Sequence, residues 1–274
     1  FKDLKKIINA RAKELEFMKY IKSFRKKTIV VKYGGSALEI SQTISYLIDD
    51  IVFMKQQGID VILIHGGSRQ LNKTLKAHNI ENKILDGIRI TTKDILKYAM
   101  ATFKEVNQFI VKEINNKGNG EVKAIGLNGN ECPITISTFL DKEKYEFVGK
   151  INKVNAEYLN ALRKEYIPVL SSLSQTEDNQ PLNINADIHA AEIAKEIKAE
   201  KLIIMTDTKG ILDENQKLIS SIDCELIDQL ISEGVISAGM TPKVKACMLA
   251  LNVVVNKVHI IDGTVQHSLV KEVF

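Results

Sequence analysis

The chain has 274 residues, with 38 Lys and Arg, 34 Asp and Glu, and 45% hydrophobic residues. This length and composition allow a sizeable core and exclude a disordered chain or a disulfide miniprotein. The formal net charge of +4 is unevenly spread, because residues 1–27 carry +7 and the other 247 residues carry −3. A near-neutral body does not favour nucleic-acid binding.

Two further function classes are disfavoured. No apolar run approaches the roughly 18 residues of a membrane helix, and the charged start lacks the apolar region of a signal peptide. The cysteines at 132, 224 and 247 are too far apart for a CxxC metal site or a disulfide framework. We therefore expect a cytoplasmic protein with reduced, buried thiols and no membrane partner.

Taken in chain order, an amphipathic helix over residues 3–24 precedes the first strand, because apolar residues recur there at spacings of three and four. Strand and helix signals then alternate. Strands are predicted at 28–33, 59–64, 121–127, 133–138, 145–151, 167–173, 201–206 and 258–261, and helices at 43–57, 68–79, 93–116, 153–166, 185–200, 223–233, 240–251 and 264–273. This order predicts an α/β protein with a mostly parallel sheet covered on both faces.

Two stretches depart from the alternation. The three short strands between residues 121 and 151 have no helix between them, which favours hairpins at an edge. The polar stretch 174–181 is predicted to be a lobe boundary or a mobile loop.

Glycine pairs follow two predicted strands, at Gly34-Gly35 and Gly66-Gly67. Ligands of parallel sheets bind at the carboxyl ends of strands, where glycine amides and a helix N-terminus can approach an anion. Neither pair fits GxxxxGK[ST] or GxGxxG, which excludes a P-loop and disfavours a dinucleotide fold. Phosphate binding and a purely structural turn fit the pairs about equally well.

Lys32 favours the phosphate interpretation. It ends an apolar strand two residues before Gly34. A lysine in a buried strand is costly unless it meets an anion, and its ammonium would emerge beside the glycine amides.

Six segments resemble the acetylglutamate kinase family, in order and over essentially the whole chain after residue 28. They are VVKYGGSAL (30–38), IHGGSRQLN (64–72), DGIRIT (86–91), NINADIHAAEIAKEI (183–197), AEKLIIMTDTKGIL (199–212) and AGMTPKVKACMLAL (238–251). The resemblance implies the amino-acid kinase fold, an α/β/α sandwich. It also implies an oligomerisation helix over 1–27, an acyl-acceptor lobe over 28–180 and a nucleotide-binding lobe over 181–274, with one continuous sheet.

The implied reaction is ATP-dependent phosphorylation of the side-chain carboxylate of N-acetyl-L-glutamate, which gives N-acetyl-L-glutamyl 5-phosphate in arginine biosynthesis. The implied catalytic residues are Lys32 and Lys243, which would stabilise the transferring phosphoryl group, and Asp187, which would orient both lysines. The implied binding residues are Gly34, Gly35 and Gly66 for phosphate; Gly66, Gly67, Arg89 and Asn183 for the acceptor; and Thr206, Asp207, Gly210, Ile211, Leu212, Met240 and Lys243 for the nucleotide. Mg²⁺ would be carried mainly by the ATP phosphates, with no metal site on the protein.

The residues are consistent with this chemistry, although several have a second interpretation. A carboxylate acceptor is ionised at neutral pH and needs no general base, so a positive clamp is the main requirement. Either Asn185 or Asp187 could instead be the N-cap of the following helix, and Asn183 could be a turn residue. A lone Arg89 is usually solvated, although its planar fork suits an α-carboxylate.

The sequence departs from the family pattern near the expected sites. Ser68 and Arg69 stand where a third glycine and a proline are usual, and Ala238 and Asn128 also differ. These changes affect the expected substrate preference more than the reaction class. The alternatives are another kinase of the same fold, for example one acting on carrier-linked aminoadipate, or a non-catalytic arginine or nucleotide sensor.

The segment 15–35 also resembles arginine-inhibited members of the family, in which an extra N-terminal helix interlaces dimers into a hexamer. The resemblance implies a homo-oligomer and an L-arginine effector, with Tyr20, His267 and Glu272 as candidate contacts. A helix packed on its own subunit, and a membrane-surface or RNA-binding helix, are the alternatives.

Overall fold

The computed structural model describes residues 15–274 except 35–40, 130, 133, 214, 216, 221, 223, 237–239 and 252–254. The strands are β1 Thr28–Tyr33, β2 Asp60–His65, β3 Ile84–Leu85, β4 Ile88–Arg89, β5 Lys123–Leu127, β6 Thr135–Phe139, β7 Gly149–Val154, β8 Tyr166–Ser171, β9 Leu173–Gln175, β10 Pro181–Asn183, β11 Lys201–Thr206 and β12 Lys257–Asp262. The helices are α1 at 15–23, α2 Ser41–Gln56, α3 Ser68–Ala77, α4 Lys93–Gly118, α5 Lys142–Tyr145, α6 Ala156–Glu165, α7 Ala186–Glu196, α8 Cys224–Ser232, α9 Thr241–Leu251 and α10 Ser268–Val273.

The central sheet has the strand order β12-β11-β1-β2-β8-β5, and all of its pairings are parallel. Successive side chains of a strand point to opposite faces. Val31 of β1 accordingly joins an apolar cluster with Leu47 of α2 and Ile110 of α4. Its neighbour Val30 joins a separate cluster with Ile193 of α7 and Ala246 of α9. Helices therefore cover both faces, which confirms the α/β/α sandwich.

The same alternation positions the two polar residues at the ends of β1 and β2. Lys32 shares the face of Val30, which α7 and α9 cover. His65 shares the face of Leu63, which α2 and α4 cover. Because β1 and β2 are adjacent and parallel, both residues lie at the carboxyl edge of the sheet.

Two smaller sheets flank this edge. One has the order β10-β9-β6-β7, with an antiparallel β9–β10 hairpin and an antiparallel β6–β7 pair. The other is the β3–β4 hairpin, whose tip residues Asp86 and Gly87 have φ angles of 53° and 77°. Two consecutive positive φ angles are typical of a tight hairpin turn whose twist matches the strands.

Three predicted elements were wrong in their bounds. The strand predicted at 145–151 begins only at Gly149, because Lys142–Tyr145 forms a short helix whose first turn is capped by Asp141. That strand runs on to Val154, so α6 begins at Ala156 and not at residue 153. The helix predicted at 264–273 begins at Ser268, because the Asp262 side chain holds the preceding turn through the backbone amide of Thr264.

The stretch 174–181 also differs from the loop that its polarity predicts. Its ends belong to the β9–β10 hairpin, and Thr176 N donates to Gln180 O at 2.9 Å across the turn. Polarity here reflects a solvated turn between paired strands. No helix among the described residues is long and apolar enough to cross a membrane.

Candidate active site

A cavity of about 310 Å³ opens at the carboxyl edge of the central sheet. It is lined by predicted site residues from across the chain, namely Lys32, Gly34, Gly66, Gly67, Arg89, Asn183, Asp187 and Lys243. Gly35, which was predicted to bind phosphate, lies outside the described residues. The fold thus brings the predicted catalytic and acceptor-binding residues to one place.

Two lysines share one aspartate in this cavity. Lys32 Nζ lies 2.8 Å from Asp187 Oδ1, and Lys243 Nζ donates to Asp187 Oδ2 at 3.0 Å. Lys32 comes from β1, whereas Asp187 and Lys243 lie in the first turns of α7 and α9. The Lys32 and Asp187 side chains are 7% and 8% exposed, and that of Lys243 is 19% exposed. The arrangement holds both ammonium groups in a fixed position beside the cavity.

The charges of this group favour an anionic ligand. Burial lowers the pKa of Lys32, and the neighbouring Lys243 adds to that effect while Asp187 opposes it. Burial alone would raise the pKa of Asp187, but the two ammonium groups outweigh it and hold that pKa below its ordinary value. One carboxylate between two lysines leaves a surplus of one positive charge at the cavity wall.

The glycine turn after β2 forms another wall of the cavity. Gly67 is the N-cap of α3, and no side chain caps this helix. The backbone amides at a helix N-terminus and the positive end of the helix dipole favour an anion at this position. The amide of Gly66 instead donates to Tyr33 O at 3.0 Å, so Gly66 extends the pairing of β1 and β2.

Gly67 is tightly confined. A Cβ at this residue would lie 2.6 Å from the Phe103 ring, which also lines the cavity. Only glycine therefore fits between the turn and α4.

Arg89 presents a half-buried guanidinium to the cavity. It donates to Asn72 Oδ1 at 2.7 Å and to Ser68 O at 3.4 Å, and it also contacts Asn82 Oδ1. Burial lowers the pKa of this guanidinium. No carboxylate pairs with Arg89 in the part of the chain that the structure describes. Amide and carbonyl oxygens thus orient a charge that is free to pair with an anion.

The two asparagines of the NINAD segment have different tasks. Asn185 is the N-cap of α7, and its side chain accepts from the amides of Asp187 and Ile188. Asn185 therefore takes the capping role that the sequence left open, and the Asp187 carboxylate remains for the lysines. Asn183 lies in β10 and donates to Thr91 Oγ1 at 3.0 Å.

The predicted nucleotide-binding residues do not line a single cavity. Gly210, Ile211, Leu212 and Met240 line a second cavity of about 160 Å³, whereas Lys243 lines the first. Thr206 is buried at the end of β11. Gly210 has a φ of 130°, and a Cβ there would lie 2.8 Å from Leu218, so this turn requires glycine.

Asp207 directly follows β11 and contacts a residue of α3. It pairs with Arg69 at 3.0 Å, and Arg69 is one of the two departures in the glycine turn. The other, Ser68, offers its carbonyl to Arg89. Asn128 is buried and contacts Glu131, and Ala238 lies outside the described residues.

The three candidate effector residues have separate partners. Tyr20 packs against Phe24, with ring centroids 5.2 Å apart. His267 Nδ1 lies 2.6 Å from Asp50 Oδ1, whereas Glu272 contacts His259 at 2.6 Å. The effector assignment stays a prediction.

Sequence reasoning missed several residues that build the site. Phe103 confines Gly67, Asn72 holds Arg89, and Ser172 binds the β2–α3 turn. Phe103 and Ser172 belong to none of the six segments, and Asn72 ends the segment 64–72 without having been assigned a role. Asn107 could have been noticed, because it is an amide side chain on the largely apolar, buried face of α4.

No group of three or more His, Cys, Asp or Glu that could hold a metal ion occurs among the described residues. Both Asp187 oxygens are already close to ammonium groups. The described residues of the cavity therefore do not form a metal-binding donor set.

The fold is a parallel sheet with helices on both faces, and two lysines and an aspartate cluster at its carboxyl edge. The family model described as the amino acid kinase family matches residues 27–262. The chain therefore belongs to the amino acid kinase family, and it is a phosphotransferase.

Its curated relatives include acetylglutamate kinases. The protein from Aquifex aeolicus is 40% identical over 94% of this chain and 92% of its own length. That from Clostridioides difficile is also 40% identical, over 95% and 92%. That from Caldicellulosiruptor bescii is 36% identical over 100% and 96%. The chain thus falls among the acetylglutamate kinases of the family.

Two solved structures share the fold at lower identity. N-acetylglutamate synthase from Neisseria gonorrhoeae has a TM-score of 0.83 and 22% identity over 96% of this chain. This chain spans 60% of the length of that synthase. Carbamate kinase from Giardia lamblia has a TM-score of 0.65 and 15% identity, over 90% of this chain and 95% of its own.

Proposed function

We propose that this chain transfers the γ-phosphoryl group of ATP to the side-chain carboxylate of N-acetyl-L-glutamate, giving N-acetyl-L-glutamyl 5-phosphate in arginine biosynthesis. The single observation that carries this proposal is the pair of lysines, one from β1 and one from α9, that converge on Asp187. The names of the relatives support the choice of acceptor.

The lysines answer the main difficulty of the reaction. An ionised acceptor carboxylate must approach a γ-phosphate that is itself anionic. Lys32 and Lys243 would neutralise the charge that develops on the transferring group, in a site from which most water is excluded. Asp187 would hold both ammonium groups in place without cancelling their charge.

The acceptor would bind in the 310 Å³ cavity. Arg89 would hold its α-carboxylate, because the guanidinium offers a planar fork of donors and has no carboxylate partner among the described residues. Asn183, Gly66 and Gly67 line the same cavity and would complete the binding site. No general base is required, because the attacking carboxylate is already deprotonated at neutral pH.

The nucleotide would extend from Lys243 toward the second cavity, where Gly210, Ile211, Leu212 and Met240 would contact it. Thr206 and Asp207, at the end of β11, would lie along this route. The nucleotide substrate would be Mg·ATP, with the ion carried by the phosphates. The division into an acceptor lobe (28–180) and a nucleotide lobe (181–274) is part of the same proposal.

An ATP-dependent hydroxamate assay tests the reaction. Hydroxylamine traps the acyl phosphate, so colour is expected with N-acetyl-L-glutamate and much less with glutamate, aspartate or aminoadipate. Preference for free glutamate or for aminoadipate would refute the acceptor assignment. Absence of turnover with every acceptor would favour a non-catalytic sensor.

We further propose a cytoplasmic homo-oligomer, a hexamer formed through the N-terminal helix, with L-arginine as an inhibitor. Leu15, Phe17 and Met18 of α1 are exposed, which supports a further contact for this helix. The ring of Tyr20 lies near Phe274, two residues after Glu272, whereas His267 is tied to Asp50. Light scattering and rates in millimolar arginine test these points, and a monomer or an unchanged rate would contradict them.

A further inference from the structure

The turn that joins β2 to α3 is held by hydrogen bonds at almost every backbone group. His65 O accepts from Ser172 Oγ at 2.7 Å, and Gly66 N donates to Tyr33 O at 3.0 Å. The peptide group between His65 and Gly66 is thus fixed at both ends. No partner for the Gly67 N–H occurs among the described residues.

The buried ring of His65 connects this turn to α4. Its Nε2 lies 3.0 Å from Asn107 Nδ2, and the same Asn107 nitrogen lies 2.9 Å from Val169 O. A carbonyl oxygen can only accept, so this nitrogen is the amino group of the amide and donates to both partners. Nε2 therefore accepts and carries no proton.

The other ring nitrogen leads to the same assignment. His65 Nδ1 lies 2.8 Å from Gly66 O, which is also only an acceptor. Nδ1 must therefore carry the proton. Burial lowers the pKa of His65 to about 4, which keeps the ring neutral at pH 7. Both sides of the ring thus specify one neutral tautomer.

The bond to Gly66 O determines where the next amide points. The carbonyl of Gly66 and the N–H of Gly67 belong to one planar trans peptide group, so they point in opposite directions. His65 holds the carbonyl on the buried side of the turn, while Gly66 and Gly67 line the cavity together with Lys32.

We propose that Asn107 and His65 are positioning residues for phosphoryl transfer, which fix the Gly66–Gly67 peptide so that the Gly67 N–H donates into the cavity. This inference depends on the proposed function for the identity of the anion. Two adjacent glycines give this peptide unusual freedom to rotate, and the His65 bond removes it. A donor held in place before the reaction stabilises developing charge at no cost of reorganisation.

The tautomer can be measured in the wild-type enzyme. In ¹⁵N NMR of the histidine-labelled protein, with His65 assigned by its absence in a His65 variant, Nδ1 is expected to be protonated and Nε2 unprotonated. A proton on Nε2, or a charged ring at pH 7, would overturn the proposal. This measurement does not depend on the hydroxamate assay, which tests the proposed function separately.

Two matched variants test the role of the bond. The amide nitrogen of asparagine occupies the place of Nδ1, whereas that of glutamine occupies the place of Nε2. We expect kcat of His65→Gln to be at least about tenfold below that of His65→Asn, with KM values within about twofold, since one misdirected oxyanion donor costs roughly 10²–10³ in kcat.

Asn107→Ala should lower kcat in the same way as His65→Gln. Asn115→Ala is the control, because Asn115 also lies on α4 and binds the backbone of Ala124 on both sides of its amide, away from the cavity. It should lower Tm while keeping kcat. Equal kcat in the two His65 variants, or kcat losses that follow Tm in all four variants, would overturn the positioning role.

Discussion

The two edges of the central sheet each carry two cations and one aspartate, but the surroundings of these charges differ. At the carboxyl edge, Lys32 and Lys243 flank Asp187. At the amino edge, Lys55 and Arg163 flank Asp60, which begins β2. Each group has two cations and one aspartate, and each lies beside a cavity, of about 310 Å³ and 480 Å³ respectively.

The difference lies in the helix ends that face each group. Lys55 of the amino-edge group also contacts the carbonyls of Arg163 and Lys164, in the last turn of α6. These carbonyls carry the negative end of a helix dipole and satisfy the surplus cation. The carboxyl-edge group faces the first turns of α3, α7 and α9, which add positive charge. The same balance of charges therefore forms a closed structural cluster at one end and the proposed anion site at the other.

The largest expected effect comes from removing each aspartate. Asp187→Asn would leave two ammonium groups buried side by side and should lower the free energy of unfolding by about 3–5 kcal/mol. Asp60→Asn should lower it by less than half as much. Lys55 would keep its carbonyl acceptors, and this ion pair is more exposed to solvent. Urea unfolding of both variants measures this, and equal losses would contradict the distinction.

Substitution of a lysine should lower activity at the carboxyl edge but not at the amino edge. Lys32→Met and Lys243→Met should each lower kcat by roughly 10²–10³, because each removes one donor to the transferring group. Lys55→Met is the matched control and should keep kcat while lowering stability. The hydroxamate assay checks this, and wild-type kcat in either active-site variant would refute the clamp.

A smaller effect is expected at the arginines. Arg89→Lys keeps the charge but loses the planar fork, so KM for N-acetyl-L-glutamate should rise about tenfold while kcat changes less. Arg163→Lys at the amino edge should leave KM unchanged. If both variants had the same KM, Arg89 would not be the acceptor contact.

The smallest effect concerns pH. Burial lowers the pKa of His65 and of His189 to about 4, against about 6.5 in the unfolded chain. As the pH falls, the unfolded state therefore binds a proton before the folded state does. The stability that each neutral histidine contributes is complete above pH 6.5 and is lost as the pH falls from 6.5 toward 4. Each histidine should lower the free energy of unfolding by about 1 kcal/mol as the pH falls from 7.5 to 5.5.

His189→Leu isolates one half of this effect. Neither ring nitrogen of His189 has a hydrogen-bond partner among the described residues, so leucine should be tolerated. Urea unfolding at the two pH values should show a loss about 1 kcal/mol smaller than in wild type. An unchanged pH dependence would mean that His189 does not titrate in this range. No histidine of the described ranges lines the amino-edge cavity, so variants there should leave the pH dependence unchanged.

Local patterns predicted the parallel strands well, because an apolar run such as residues 28–33 can only be stable when buried on both faces. They predicted residues 145–151 poorly, since Asp141 caps a short helix that periodicity does not reveal. Short polar stretches such as 174–181 look the same whether they are free loops or hairpin turns. Pairing with distant strands decides between them.

The sequence by itself determined the layered α/β fold and the glycine turns, because these depend on periodicity and on adjacent residues. Its resemblance to a known family then pointed to Lys32, Asp187 and Lys243 as the candidate chemistry. Only the tertiary structure decided that Asn185 and not Asp187 caps α7, and that Asn107 reaches His65. The Asn107 side chain contacts His65 and Val169, which are 42 and 62 positions away in the chain. The order of the strands and the placement of the helices bring such residues together. No local sequence pattern predicts a contact between residues so far apart in the chain.

The charge of the chain shows the same division. Its uneven distribution is visible in the sequence, with a basic N-terminal segment before a near-neutral body. Which cations of the body face an anion site is not visible there, because it depends on whether a helix begins or ends beside them.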